Sequence, residues 1–244
     1  MRLDLALVER GLAANRSRAH DAIKRGRVRV DGVTARKTGM GVASDTDLVV
    51  DDPASGYVSR AALKLIAGLD SFGIAVEGRN ALDVGASTGG FTQVLLERGA
   101  AHVTALDVGH GQLAAAIAGD PRVAAIEGLN ARALSGADLP HRPDLVVADV
   151  SFISLRLALP PALSLATDGA SCVLLVKPQF ELGPEAIGKG GLVRDPTVAE
   201  GAASAMREWL ETLPGWRALD PIPSPIAGGS GNREWLLGGV KDRL

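Results

Sequence analysis

The chain has 244 residues, 46% of them hydrophobic and 3% aromatic, which suits one large domain or a medium domain with a small appendage. Its one cysteine, Cys172, rules out a disulfide framework, and its four histidines form no cluster with metal-ligand spacing, so no metal is expected. Net charge is only −2, yet ten Lys or Arg stand against four Asp or Glu through Ala43, leaving +6 there and −8 in the remainder; this asymmetry predicts a basic module that seeks polyanions, joined to an acidic body.

Leu3 to Arg10 has helical periodicity, with Leu3, Leu7 and Val8 on one face. Asn15 is placed to cap a second helix reaching Lys24 or Arg25, and Gly26 stops it. Val28–Val30 and Val33 flank Asp31-Gly32, a favoured hairpin turn, and Leu48–Val50 adds a strand. Residues 1–50 are therefore expected to form a small α+β domain, and the polar, breaker-rich stretch across residues 51–57 a linker. From Val58 onward, helices and apolar runs alternate. A helix from Ser59 to about Phe72 precedes strands at Ala81–Val84, Val103–Asp107, Val123–Ile126, Leu145–Ala148 and Cys172–Val176. Helices are expected at about Thr92–Arg98, Leu155–Ala166 and Val198–Leu213, and the last strands near Trp216–Pro221 and Glu234–Val240. This pattern predicts an α/β domain over residues 58–244, a Rossmann-like parallel sheet with helices on both faces and a ligand site at the carboxyl ends of its strands.

The glycine-rich turn Asp83-Val84-Gly85-Ala86-Ser87-Thr88-Gly89-Gly90-Phe91 joins a strand to a helix, where backbone N–H groups are open to a nucleotide-like ligand. The dinucleotide fingerprint needs a glycine where Ser87 stands, and Asp83 would repel a diphosphate. A carboxylate there suits the ammonium of S-adenosylmethionine, and Asp107, about 20 residues past the loop, suits its ribose. S-adenosylmethionine is therefore favoured over a nicotinamide cofactor, with Asp83, Gly85, Ser87, Thr88, Gly89, Gly90, Phe91, Asp107 and Asp149 as its candidate contacts.

Two strands end in charges at that edge, Asp149 and Lys177, and lysine is seldom placed where it must be desolvated. Lys64 lies among apolar neighbours on the first helix of the large domain, and Gly228–Arg233 delivers Glu234 to the last strand. In the basic module, Arg2, Arg16, Arg18, Lys24, Arg25, Arg27, Arg29 and Lys37 are candidate RNA contacts, joined by Arg60 after the linker. The absence of aromatics there predicts a grip on phosphates and RNA shape, not base stacking.

Together these segments resemble the TlyA family, which joins an S4-type RNA-binding domain to an FtsJ-like ribose methyltransferase. The resemblance rests on Arg2-Leu3-Asp4, Arg10-Gly11-Leu12, Ser17-Arg18 and Gly26–Gly32 in the first domain. In the second it rests on Ser59-Arg60, Leu63-Lys64-Leu65, Asp83–Phe91, Asp149–Phe152, Lys177–Glu181 and Gly231-Asn232 with Glu234. Asp31 departs from the Asn often found at its position, a change either residue's turn chemistry accommodates. The resemblance implies a catalytic tetrad of Lys64, Asp149, Lys177 and Glu234, and 2′-O-methylation of cytidines in 16S ribosomal RNA, 23S ribosomal RNA or both, with ribosomal RNA or assembled subunits as partner. The expected chemistry is in-line methyl transfer. Lys177 acts either as a neutral general base or as a charged group steadying the alkoxide, beside an orienting Lys64 and two orienting carboxylates.

Alternatives are an RNA-binding regulator without turnover, a membrane-active haemolysin and, remotely, a nicotinamide-dependent oxidoreductase. Arg2 and Asp4 sit where a signal peptide needs an apolar core, and no run is long enough to span a bilayer, so a cytoplasmic protein without membrane contact is expected. Its oligomeric state is left between monomer and weak dimer.

Overall fold

The computed structural model describes residues 1–242, in two compact units, Met1–Gly56 and the residues from Tyr57 onward. The first holds α1 (Leu3–Glu9) and α2 (Arg16–Lys24), followed by β1 (Val28–Val30), β2 (Val33–Ala35) and β3 (Leu48–Val50). Asn15 Oδ1 accepts the Arg18 N–H at 3.0 Å, so the second helix starts where the sequence signal puts it. Gly26 leaves that helix at φ 71°, and Asp31 and Gly32 turn the hairpin at φ 48° and 77°, the paired positive φ values of a type I′ turn. The antiparallel sheet runs β2-β1-β3, and Leu3, Leu7, Ile23 and Val28 meet in its core.

The second unit contains α3 (Ala62–Phe72), β4 (Asn80–Val84), α4 (Gly90–Glu97), β5 (His102–Asp107), α5 (Ala115–Ala118), β6 (Val123–Glu127) and β7 (Leu145–Ala148). After these come α6 (Leu155–Ala158), α7 (Pro160–Leu165), β8 (Ser171–Val176), α8 (Pro178–Glu181), α9 (Pro196–Glu211), β9 (Trp216–Ala218), β10 (Ile222–Pro223) and β11 (Trp235–Lys241). Its sheet runs β10-β11-β8-β7-β4-β5-β6, with β9 also on β11. The strands from β4 to β8 are parallel, as their apolar runs predict. The closing strands β9, β10 and β11 are antiparallel.

Alternate side chains feed opposite faces. Leu145, Val147, Val173 and Leu175 pack under α3 and α4, whereas Val146, Ala148, Leu174 and Val176 pack against α6, α7 and α9. The helix expected across Leu155–Ala166 is instead two short ones broken at Leu159-Pro160. Two adjacent prolines supply no N–H to continue the ladder, and apolar periodicity alone carries straight past them. Lys241 Nζ donates to the carbonyls of Leu163, Ser164 and Ala166 at 3.4, 3.3 and 2.8 Å, satisfying the end of α7.

Candidate active site

Every residue of interest in the larger unit lies at the carboxyl edge of the sheet or on the helix facing it. Gly85 has φ 86°, and a Cβ there would sit 2.7 Å from the Asp149 carbonyl oxygen; both facts exclude a side chain. Ser87, where the dinucleotide fingerprint has glycine, adopts φ 47°, and its N–H donates to Asp107 Oδ2 at 2.8 Å. Gly109 N–H donates to Asp107 Oδ1 at 2.7 Å. The Asp107 carboxylate is thus fixed at the end of β5 with lone pairs to spare. The Thr88 carbonyl accepts the Ala114 N–H at 3.2 Å, and Gly89, at φ 94°, starts α4. Gly90 and Phe91 are buried in the first turn of α4, where Phe91 belongs to the hydrophobic core as much as to the cleft.

Asp83 is fully buried. Thr92 Oγ1 donates to its Oδ2 at 2.7 Å, while Oδ1 has no partner. Burial pushes this carboxyl up to about 7 against the Thr92 bond, and the nearby Asp149 adds to the rise. Because the folded value lies above the unfolded one, Asp83 stabilises the folded chain fully below about pH 4, and that contribution is lost as pH rises through about 7. Denaturant titrations of wild type and Asp83→Asn should therefore diverge between those limits, with the wild type losing ground to the variant as pH increases. A difference that stays constant with pH would refute this.

A cavity of about 530 Å³ extends from Gly85 and Asp107 past Asn130 to Phe152. A second, of about 170 Å³, continues to Ser59, Phe91 and Lys177. Gly85, Ser87, Asp149 and Ser151 line both, so one continuous cleft overlies the glycine-rich turn.

The four tetrad candidates form two ion pairs. Lys177 Nζ lies 2.6 Å from Asp149 Oδ1, joining the ends of β8 and β7. Lys64 Nζ lies 2.5 Å from Glu234 Oε2, joining α3 to the residue before β11. Lys64, Lys177 and Glu234 are buried. Gly68, one turn after Lys64, has no room for a Cβ, which would meet Val173 Cγ1 at 2.6 Å. The helix therefore packs directly on β8 and carries Lys64 inward on the same face. Gly228 serves Glu234 in the same way, since a Cβ there would meet Glu234 Oε1 at 2.4 Å. The β8/β11 pairing aligns Trp235 with Val176, so Glu234 follows opposite Lys177.

The basic candidates of the first unit differ in their surroundings. Lys24, Arg27, Arg29 and Lys37 are exposed. Arg2, Arg16 and His20 converge on the buried Asp4: Arg2 Nε is 3.0 Å from Oδ1, and Arg16 Nε and His20 Nε2 are 2.7 and 2.6 Å from Oδ2. These bonds, that from Arg2 foremost, hold the Asp4 carboxyl well below the usual carboxylate range. Arg18 donates to the Ala54 carbonyl. The Arg25 guanidinium is largely buried, paired with Asp21 and Asp52. The i,i+4 spacing of Asp21 and Arg25 was the available signal for that pair. In the second unit, Arg60 Nη2 lies 4.0 Å from the position a Cβ on Gly229 would take, near the loop that leads to Glu234.

Several neighbours of the site, within the segments that carry the resemblance, are given no role by the sequence. Lys177 Nζ donates to Ser151 Oγ at 2.7 Å. Phe152 sits at φ 64° with 91% of its surface exposed, 5.2 Å from the Phe180 ring. Glu181 accepts from Ser154 Oγ at 2.5 Å and from the Leu155 N–H at 2.8 Å, tying α8 to the start of α6. Asn232 accepts the Val193 N–H at 2.9 Å and donates to the Gly191 carbonyl at 2.8 Å.

The sequence profile of FtsJ-like methyltransferases matches residues 57–241, and that of the S4 domain residues 1–48. The chain is 49% identical to the 16S/23S rRNA (cytidine-2′-O)-methyltransferase TlyA of Mycobacterium tuberculosis, across 97% of this chain and 88% of that protein. It is 39% identical to Hemolysin A of Brachyspira hyodysenteriae, across 97% of this chain and 98% of that one. A solved structure from Streptococcus thermophilus that carries the name hemolysin superposes with a TM-score of 0.77 at 37% identity, covering 99% of this chain and 88% of that one. An O-methyltransferase from Bacillus cereus, solved with S-adenosylhomocysteine, shares the fold of the larger unit at 18% identity and a TM-score of 0.53, over 75% of this chain and 82% of its own. An S4 domain ahead of a Rossmann-like sheet, with both ion pairs at the sheet's carboxyl edge, places this chain in the TlyA family of FtsJ-like methyltransferases.

Proposed function

We propose that this protein methylates the ribose 2′-hydroxyl of cytidine in 16S or 23S ribosomal RNA, using S-adenosylmethionine, in the cytoplasm. The observation that carries the reading is the Lys177–Asp149 pair at the junction of two cavities above the Asp83–Phe91 turn. The residues present fit the cofactor. The cleft suits a nucleoside-sized ligand, Asp107 is held with lone pairs free, and the buried Asp83 Oδ1 lacks a partner that a ligand ammonium would supply, directly or through water. Bound there, the cofactor supplies an electrophilic methyl group on a sulfonium.

The protein's own contribution is orientation and proton handling. Lys177 receives the proton of the attacking hydroxyl, and Asp149 fixes the amine in place. Lys64 and Glu234 form a second, buried pair that orders the neighbouring wall. The exposed Lys24, Arg27, Arg29 and Lys37, with Arg2 and Arg16 ordered by Asp4, grip RNA phosphates. Phe152 offers the aromatic face that the S4 unit lacks, and a target base stacks on it. Phe152→Ala should lower kcat/KM for RNA by about 5–150-fold, the equivalent of about 1–3 kcal/mol of base stacking, with cofactor affinity unchanged by calorimetry. An unaltered kcat/KM would remove Phe152 from the substrate path.

Mass mapping of ribosomal subunits incubated with the protein and S-adenosylmethionine tests the whole reading. Ribose methylation of cytidine is expected. RNA binding without methyl incorporation would favour a regulator, and methyl groups on bases alone would replace the proposed reaction with another. Among the described residues no helix is long and apolar enough to cross a membrane. Leakage of liposomes by the purified protein would favour the haemolysin reading.

A further inference from the structure

The hydrogen bond from Lys177 to Ser151 has no counterpart in the tetrad, and we propose that Ser151 is a positioning residue that aims the Lys177 amine at the ribose hydroxyl. The inference rests on the methyltransferase reading above. A neutral amine has two N–H bonds and one lone pair in tetrahedral array. Asp149 Oδ1 at 2.6 Å and Ser151 Oγ at 2.7 Å take two of the directions. The lone pair is then confined to the one that remains. With Asp149 alone, the second N–H and the lone pair could exchange the two remaining directions, so the lone pair would be divided between them.

Two features place Ser151 for this task. It lines both cavities, at the point where the larger opens into the one containing Lys177. Its loop is also pinned at either end. The Asp149 N–H donates to the Val84 carbonyl at 3.0 Å, and Ser154 and Leu155 both donate to Glu181, on the helical turn that follows Lys177. Lys177 and Glu181 thus hold the segment from Asp149 to Leu155 between them. The left-handed backbone of Phe152, at φ 64°, turns the chain immediately after Ser151. The step being aligned forms the bond from the ribose oxygen to the methyl carbon and breaks the carbon–sulfur bond. The hydroxyl proton passes to Lys177, and the bonding pair stays on sulfur.

The test compares full-length wild type, Ser151→Ala and Ser151→Thr in methyl transfer to ribosomal subunits, with kcat and both KM values measured separately. Misalignment of the base predicts a fall in kcat of about 10–100-fold for Ser151→Ala, with KM for RNA and for S-adenosylmethionine within a factor of about two. Ser151→Thr, which keeps the hydroxyl, should recover to within about threefold of wild type. Unchanged kcat in Ser151→Ala, a change confined to KM, or a threonine variant as slow as the alanine one would each overturn the assignment while leaving the methyltransferase reading intact. A wild type that transfers no methyl group to ribosomal RNA would overturn both.

Discussion

Replacing Lys177 by alanine is expected to lower kcat for ribose methylation by about 10²–10⁴-fold, the usual contribution of a positioned general base, while leaving S-adenosylmethionine affinity within a few-fold of wild type. Lys177 closes a strand buried at every position, and its Nζ is held by Asp149 and Ser151 at the inner end of the cleft. The variant removes the proton acceptor and leaves the Asp149 carboxylate without its counter-ion, so the site loses both a base and its charge balance. Lys177→Arg tests the alternative in which a fixed positive charge steadies the alkoxide. A guanidinium stays charged and donates in a rigid fork, so substantial activity in Lys177→Arg would favour charge stabilisation over proton transfer. Single-turnover rates, with cofactor binding followed by calorimetry, separate these outcomes. A Lys177→Ala variant as fast as wild type would remove the central element of the mechanism.

The second large effect concerns stability. Glu234→Ala should lower the unfolding free energy by about 3–5 kcal/mol, because it leaves the Lys64 ammonium buried without its counter-ion. Both side chains are almost entirely inside, at 6% and 4% exposed. The 2.5 Å contact is therefore little screened by solvent. The double variant Lys64→Met, Glu234→Leu should regain most of that loss, since an apolar pair of similar volume avoids both desolvation penalties. It should not regain activity. Urea titrations of the three proteins at fixed pH check the sequence of stabilities, and a single variant as stable as wild type would show that the pair is not isolated from water.

The alternation of apolar runs and helices made the parallel strands legible, because strands covered on both faces have to be apolar throughout. The strand-to-helix turn was legible for a different reason. Its glycines and Ser87 answer to local backbone geometry, which is encoded within a few residues. The closing strands were harder. Whether β11 runs parallel or antiparallel to β8 depends on the path of the connecting chain, not on the composition of Trp235–Lys241. The break at Leu159-Pro160 was visible in the prolines and was overridden by the surrounding periodicity. At the site, strand ends marked Asp149 and Lys177, and the segment Asp149–Phe152 stood out as a motif, but no role for Ser151 or Phe152 could be read from it, since their directions are set by one left-handed residue and by Glu181 across the fold. A basic cluster does not show which of its members are paired: the acid one helical turn before Arg25 draws its guanidinium into an ion pair.

The β8/β11 ladder acts as a ruler for the chemistry. Trp235 faces Val176, so the acid and the amine one step further out are spaced by backbone hydrogen bonds and not by the accidents of side-chain packing. Sliding one strand by a single residue would throw Glu234 to the far side of the sheet. Variation along this edge is therefore quantised: loops on either side are free to lengthen or shorten, whereas these two strands tolerate shifts only in pairs of residues.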